Sequence, residues 1–172
     1  LEKGYIHVYT GDGKGKTTAA FGLAVRAAGA GKKIFIGQFV KSMEYSELKA
    51  MTLLKDYVDI ELLGYGCFIT KDPDPQDIAA AKAGLDKIRR IFQSNQYQVV
   101  ILDEITIALF YHLLSLEEVL SLMDAKPYEI ELILTGRYAP AEMLERADLV
   151  TEMKEIKHYY TQGVLSREGI DR

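Results

Sequence analysis

The stretch from Tyr5 to Thr18 limits what this chain can fold into more than any other. Apolar residues Tyr5 to Tyr9 lead into Thr10-Gly11-Asp12-Gly13-Lys14-Gly15-Lys16-Thr17-Thr18, and an alanine-rich segment opens at Ala19. That order reads as strand, phosphate loop, helix. Three glycines let the backbone turn tightly and bring successive N–H groups toward an anion. The following helix adds unpaired amides and the positive end of its dipole. Lys16 is placed to carry charge onto the outer phosphates and Thr17 to offer a hydroxyl to Mg²⁺. Thr10 stands where the usual pattern G-x-x-x-x-G-K-[ST] has its first glycine; Gly11 and Gly13 supply glycine one and three places later. Nucleoside triphosphate binding is the expectation, with Gly11 to Thr18 as the binding loop.

A chain of 172 residues, 48% hydrophobic and 27% charged, is long enough for one globular domain with a sizeable core, expected to span 1–172. A formal net charge of −4 leaves no electrostatic footprint for nucleic acid. Cys67 is the single cysteine, so no internal disulfide can form. No run of eighteen apolar residues suggests a membrane span, and the first residues read as a strand rather than a leader. The expected location is cytoplasmic.

Helical composition runs from Lys16 to Ala28 and stops at Gly29-Ala30-Gly31. Lys33 to Phe39 reads as a fully buried strand, Tyr45 to Leu54 as helical, and Tyr57 to Leu63 as a third strand. Asp74 and Pro75 open a helix whose apolar face is Ile78, Ala81, Leu85, Ile88, Ile91 and Phe92. Gln98 to Leu102 is a short apolar strand ending in Asp103-Glu104. Ser115 to Glu118 is a capping box, with Leu114 and Val119 as its hydrophobic staple. Ile130 to Leu134 and Asp148 to Glu152 complete the strands, and Pro140 starts a brief helix between them. The polar tail from Lys157 onward carries no periodic signal. Strands alternating with helices predict an α/β fold, a mostly parallel sheet covered on both faces. Its ligands belong beyond the carboxyl ends of the strands. Gly11 to Thr17, Gln38 to Ser42, Gly64 to Thr70, Asp103-Glu104 and Thr135 to Tyr138 are the loops expected there.

Asp103 and Glu104 follow an apolar strand, where a carboxylate can hold Mg²⁺ directly or through water. Residue types alone do not say which of the two does so. Arg137, after Gly136, is placed either to clamp phosphate oxygens with paired donors or simply to lie in a surface turn. Gln38 and Lys41 have the same two readings. His7 reads as a packed strand histidine and His112 as a partly exposed one; His158 has no metal-ligand spacing. These features reach as far as a Mg-nucleotide-dependent α/β domain, with ATPase, small-molecule kinase and a non-enzymatic nucleotide-binding regulatory domain all open.

The same residues resemble a known family. Thr10 to Gly22 is similar to the phosphate loop of the P-loop type of cob(I)alamin (corrinoid) adenosyltransferase, threonine included. The likeness continues through Arg26 to Gly29, Gln38 to Lys41, Leu102 to Thr106, Leu116 to Val119, Leu134 to Arg137 and Gly169-Ile170-Asp171. The resemblance implies a RecA-like P-loop NTPase sheet. It implies transfer of the 5′-deoxyadenosyl group of ATP to Co(I) of a corrinoid with release of triphosphate, in adenosylcobalamin synthesis or salvage. Cobalt is then the nucleophile, so no protein base is required. Lys16, Thr17 and Glu104 become the expected catalytic groups, and Thr17, Asp103 and Glu104 the expected Mg²⁺ ligands. Arg137 and the loop become the expected ATP contacts. Aromatic side chains of the family displace the lower axial ligand of cobalt; Phe68 matches one such position, and Tyr65 stands beside Gly66 where another is common. A homodimer and an electron donor such as a reduced flavoprotein complete what the resemblance implies.

Overall fold

The computed structural model describes residues 2–40, 46–64 and 72–171. Among these residues six strands form one sheet: β1 (Ile6–Thr10), β2 (Ile34–Gln38), β3 (Val58–Leu62), β4 (Val99–Asp103), β5 (Glu131–Thr135) and β6 (Leu149–Glu152). Their order across the sheet is β3-β2-β4-β5-β1-β6, and every pairing is parallel. The expected fold class is therefore met, with the sheet wholly parallel.

Strand periodicity sorts the core into two layers, because successive side chains leave opposite faces of a strand. Ile34, Ile36, Val99, Ile101 and Ile133 face the helix α1 (Lys16–Gly29). Phe35, Val100, Leu102, Leu132 and Leu134 face the opposite layer. That layer is built from α3 (Pro75–Gln93), α4 (Ile105–Phe110), α5 (Leu116–Asp124) and α6 (Ala141–Arg146). Helix α1 meets the sheet through Ala20, Phe21, Ala24, Ala27 and Ala28, a stripe at helical spacing made mostly of small side chains. Phe21 is the one large residue in it, and truncating it to alanine would cost about 3–5 kcal/mol. The segment read as helical from Tyr45 is α2 (Ser46–Met51) continued by a 3₁₀ turn, Thr52–Leu54.

Both caps read from the sequence are present. The Asp74 side chain accepts from Gln76 and Asp77 amides, with Pro75 opening α3, and Ser115 and Glu118 exchange hydrogen bonds at the start of α5. Because all strands run the same way, Thr10, Gln38, Asp103 and Thr135 end at one edge. Register puts them level: Gln38 pairs with Asp103, Leu102 with Leu134 and Tyr9 with Thr135. The buried polar residues among those described are Thr10, Lys16, Gln38, Asp103, Thr106 and Thr135, all at this edge or in the turns that leave it. Buried polar groups of that density, away from the apolar layers, mark where the chemistry belongs.

Candidate active site

The phosphate loop leaves β1 and re-enters helix at Lys16. Gly15, at the helix N-cap with φ of 120°, lets the chain turn into α1, and no side chain caps the first turn. The leading amides of α1 are thus free for an anion. On its other side the loop leans on the segment after β6. The Gly13 amide donates to the Met153 carbonyl at 2.6 Å, and Met153 donates back to Thr10 at 2.8 Å. A Cβ at Gly13 would lie 2.6 Å from that same carbonyl, so the position admits only glycine. Gly11 backs onto Met153 in the same way, while Asp12 is exposed beyond it.

Lys16 is buried, and its ammonium donates to the Gly13 carbonyl at 2.7 Å across the loop. Burial lowers its pKa, as does the charge of Arg137, and the Glu104 and Asp12 carboxylates oppose the shift. Thr17 donates to Asp103 Oδ1 at 2.9 Å. Thr135 donates to the same oxygen at 2.7 Å, and the Gln38 amide reaches Oδ2 at 3.4 Å. Burial pushes the Asp103 carboxyl up, and these three donors work against it. Glu104 is held differently: its backbone is left-handed, φ 60°, and its N–H donates to Thr135 Oγ1 at 3.1 Å. Burial, then the neighbouring Asp103 charge, raises its carboxyl from 4.5 to about 7 against the pull of Lys16 and Arg137. Two adjacent carboxyls with unlike surroundings result.

These groups open into a single cleft of about 900 Å³, at the upper end of the range for ligand sites. Its lining brings together Lys14 to Thr18, Gln38, Asp103, Glu104 and Arg137. Gly11, Asp12 and Gly13 shape the loop from behind rather than line the cleft. Tyr65, Phe68 and Lys41 lie outside the described residues. His7 lies in β1 with Nε2 2.6 Å from Glu131 Oε1 and Nδ1 3.1 Å from the Tyr9 hydroxyl, a packed strand histidine as expected. His158 accepts the Tyr160 amide at a turn, and His112 is exposed after α4.

Several residues in the cleft or directly behind it have no role that the sequence announces. Thr135 bonds both Asp103 and the Glu104 amide, yet it stood there only as part of the turn before Arg137. Phe110 and Tyr138 stack at 4.5 Å on the rim, each 52% exposed, with Tyr111 edge-on to Phe110 at 5.3 Å. The tail also returns: Gly169, Ile170 and Asp171 line the cleft beside Lys14. The one sequence signal for that return was the resemblance at Gly169 to Asp171.

The donor set suits a hard cation. Thr17 offers a hydroxyl and Asp103 a carboxylate, and among the described residues no group of three or more His, Cys, Asp or Glu could hold a metal. Mg²⁺ is a hard cation of that kind, taking oxygen ligands and keeping several of its waters. Chemically, the cleft can grip a polyphosphate by amides and one ammonium, with Arg137 as a second cation. Among the described residues no helix is long and apolar enough to cross a membrane.

Residues 2–171 match the family model described as ATP:corrinoid adenosyltransferase BtuR/CobO/CobP. The corrinoid adenosyltransferase of Escherichia coli (strain K12) is 36% identical over 170 residues, 99% of this chain and 86% of that protein. Corrinoid adenosyltransferase CobA of Salmonella typhimurium is 37% identical, with the same coverage of 99% and 86%. That of Pseudomonas aeruginosa is 33% identical over 99% of this chain and 84% of its own length. With its length matched end to end and the expected loop, acidic pair and arginine in one cleft, this chain belongs to the ATP:corrinoid adenosyltransferase family.

Proposed function

We propose that this protein transfers the 5′-deoxyadenosyl group of ATP to Co(I) of a corrinoid, with release of triphosphate. The bond from C5′ to the α-phosphate oxygen breaks, its electron pair leaves with triphosphate, and the cobalt–carbon bond takes its place. The observation that carries the reading is the convergence of an uncapped helix start, Lys16, Asp103, Glu104 and Arg137 on one cleft. Those groups stabilise a departing polyphosphate, and the reaction asks little else of the protein because the nucleophile belongs to the substrate.

Lys16 leaves the Gly13 carbonyl for the triphosphate, and the α1 amides hold its charge as it grows. Thr17 and Asp103 would hold Mg²⁺, which when bound would supply positive charge to the leaving group. Glu104 feels the charges of Lys16 and Arg137 and lines the same cleft, positioned to keep those cations aimed at the phosphates. Tyr65 and Phe68 belong with the corrinoid on the strength of the resemblance, as do the homodimer, the reduced flavoprotein donor and a cytoplasmic location.

The test is anaerobic incubation with ATP, Mg²⁺ and chemically reduced corrinoid. A light-sensitive cobalt–carbon spectrum together with tripolyphosphate release is the expected result. ADP or orthophosphate in place of tripolyphosphate would mean an ordinary ATPase or kinase.

A further inference from the structure

Lys14, one residue before Gly15, does not point its charge at the loop it belongs to. Its ammonium donates to the Ile170 carbonyl at 2.7 Å and to Asp171 Oδ1 at 2.5 Å, across 157 residues of sequence. Asp171 is itself the hub of the returning tail. Tyr159 donates its hydroxyl to Oδ1, and Arg167 donates both its backbone N–H and its Nε to Oδ2 at 3.1 Å. The Arg167 guanidinium also lies 4.8 Å over the Tyr159 ring. The Asp171 side chain is 12% exposed and the Lys14 side chain 43%. The carboxylate is therefore fixed by the tail, while the lysine on its four-carbon arm is the movable member.

We propose that Asp171 is a positioning residue that competes with the polyphosphate for Lys14. In the free protein Asp171 holds the ammonium beside the cleft that Lys14 and Gly169 to Asp171 share with Lys16 and Thr17. A polyphosphate carries several negative charges against the single one of Asp171, so Lys14 swings to it on binding. Asp171 keeps Tyr159 and Arg167 and stays where it is. When triphosphate must leave, the same carboxylate stands ready to recapture the lysine, which lowers the grip on product. Affinity is thereby reduced by the fraction of molecules whose Lys14 is engaged with the tail. The inference rests on the polyphosphate reading of the loop but not on the identity of the adenosyl acceptor.

The experiment is calorimetric titration of the whole protein with tripolyphosphate and Mg²⁺. Asp171→Asn is expected to bind about two- to fivefold tighter than the wild type, the scale of a partly exposed charge pair. Arg167→Ala is expected to bind more weakly, because a carboxylate with one cation fewer holds Lys14 harder. In a Lys14→Ala background both effects should vanish. A merely structural role for the tail would move both variants in the same direction, and that result overturns the proposal. So does an Asp171→Asn effect that persists without Lys14. Failure of the wild type to bind tripolyphosphate overturns the phosphate-loop reading along with it.

Discussion

The hydroxyl of Thr135 donates to Asp103 Oδ1 at 2.7 Å while its oxygen accepts the Glu104 amide at 3.1 Å. One uncharged side chain on β5 therefore holds both Asp103, the last residue of β4, and Glu104, the residue that follows it and caps α4. Thr135→Val keeps the shape and removes both bonds, leaving a buried carboxylate short of a donor and an amide unpaired. A loss of about 1–3 kcal/mol is expected in urea melts, with a weaker response to Mg²⁺. Unchanged stability would show that solvent replaces the threonine.

Lys16 bridges to Gly13 within an otherwise preformed loop. Lys16→Ala should leave the far-ultraviolet spectrum intact and reduce turnover by about 10²- to 10³-fold, the scale of a lost transition-state cation. Near-normal rates would detach the loop from the chemistry.

Asp103 accepts three side-chain donors, whereas the Glu104 carboxyl feels the opposite charges of Lys16 and Arg137. Asp103→Asn should raise the Mg²⁺ concentration needed for half-maximal activity. Glu104→Gln should lower the maximal rate with little change in that concentration. Identical Mg²⁺ titrations of the two variants would leave the division of labour unsupported.

Glu104 has its carboxyl raised from 4.5 to about 7 by burial and by Asp103. The folded state binds this proton more tightly than the unfolded chain, so the unfolded state carries fewer protons between those values. The contribution of this group to stability is therefore fully present below about 4.5 and is lost as pH climbs through 7, by up to about 3 kcal/mol. In chelator, Glu104→Gln should gain stability relative to the wild type between pH 5 and pH 8. A difference that stays flat in paired urea melts would contradict the shift.

Gly136 carries a φ of 137°, and a Cβ there would lie 2.0 Å from the Thr106 hydroxyl. That hydroxyl is itself buried, with no hydrogen-bond partner among the described residues. Gly136→Ala should destabilise by about 2–4 kcal/mol through strain and overlap, and it should displace Arg137. Adding Thr106→Ala should recover the overlap part and leave the strain. A simple sum of the two single effects in denaturant melts would show that the two positions do not touch.

Local order along the chain was enough to identify the parts. Gly11 to Thr18 announces its turn and helix start through short-range geometry, since neighbouring residues decide φ, ψ and the first helical amides. Asp74-Pro75 and Ser115 to Glu118 announce their helices for the same reason, and the apolar runs of β2, β4 and β5 announce burial on both faces. What joins these parts is long-range. Gln38 reaches Asp103 across 65 residues and Thr135 across 32 only because parallel register sets three strand ends level. Phe110 meets Tyr138 because α4 and the turn after β5 leave the sheet side by side. The tail meets Lys14 because the chain after β6 lies against the phosphate loop. Periodicity carries no information about register or about which distant carboxylate will find a given lysine. Those choices are made by the packing of the whole sheet, where one residue of slip would turn every one of these side chains to the other face.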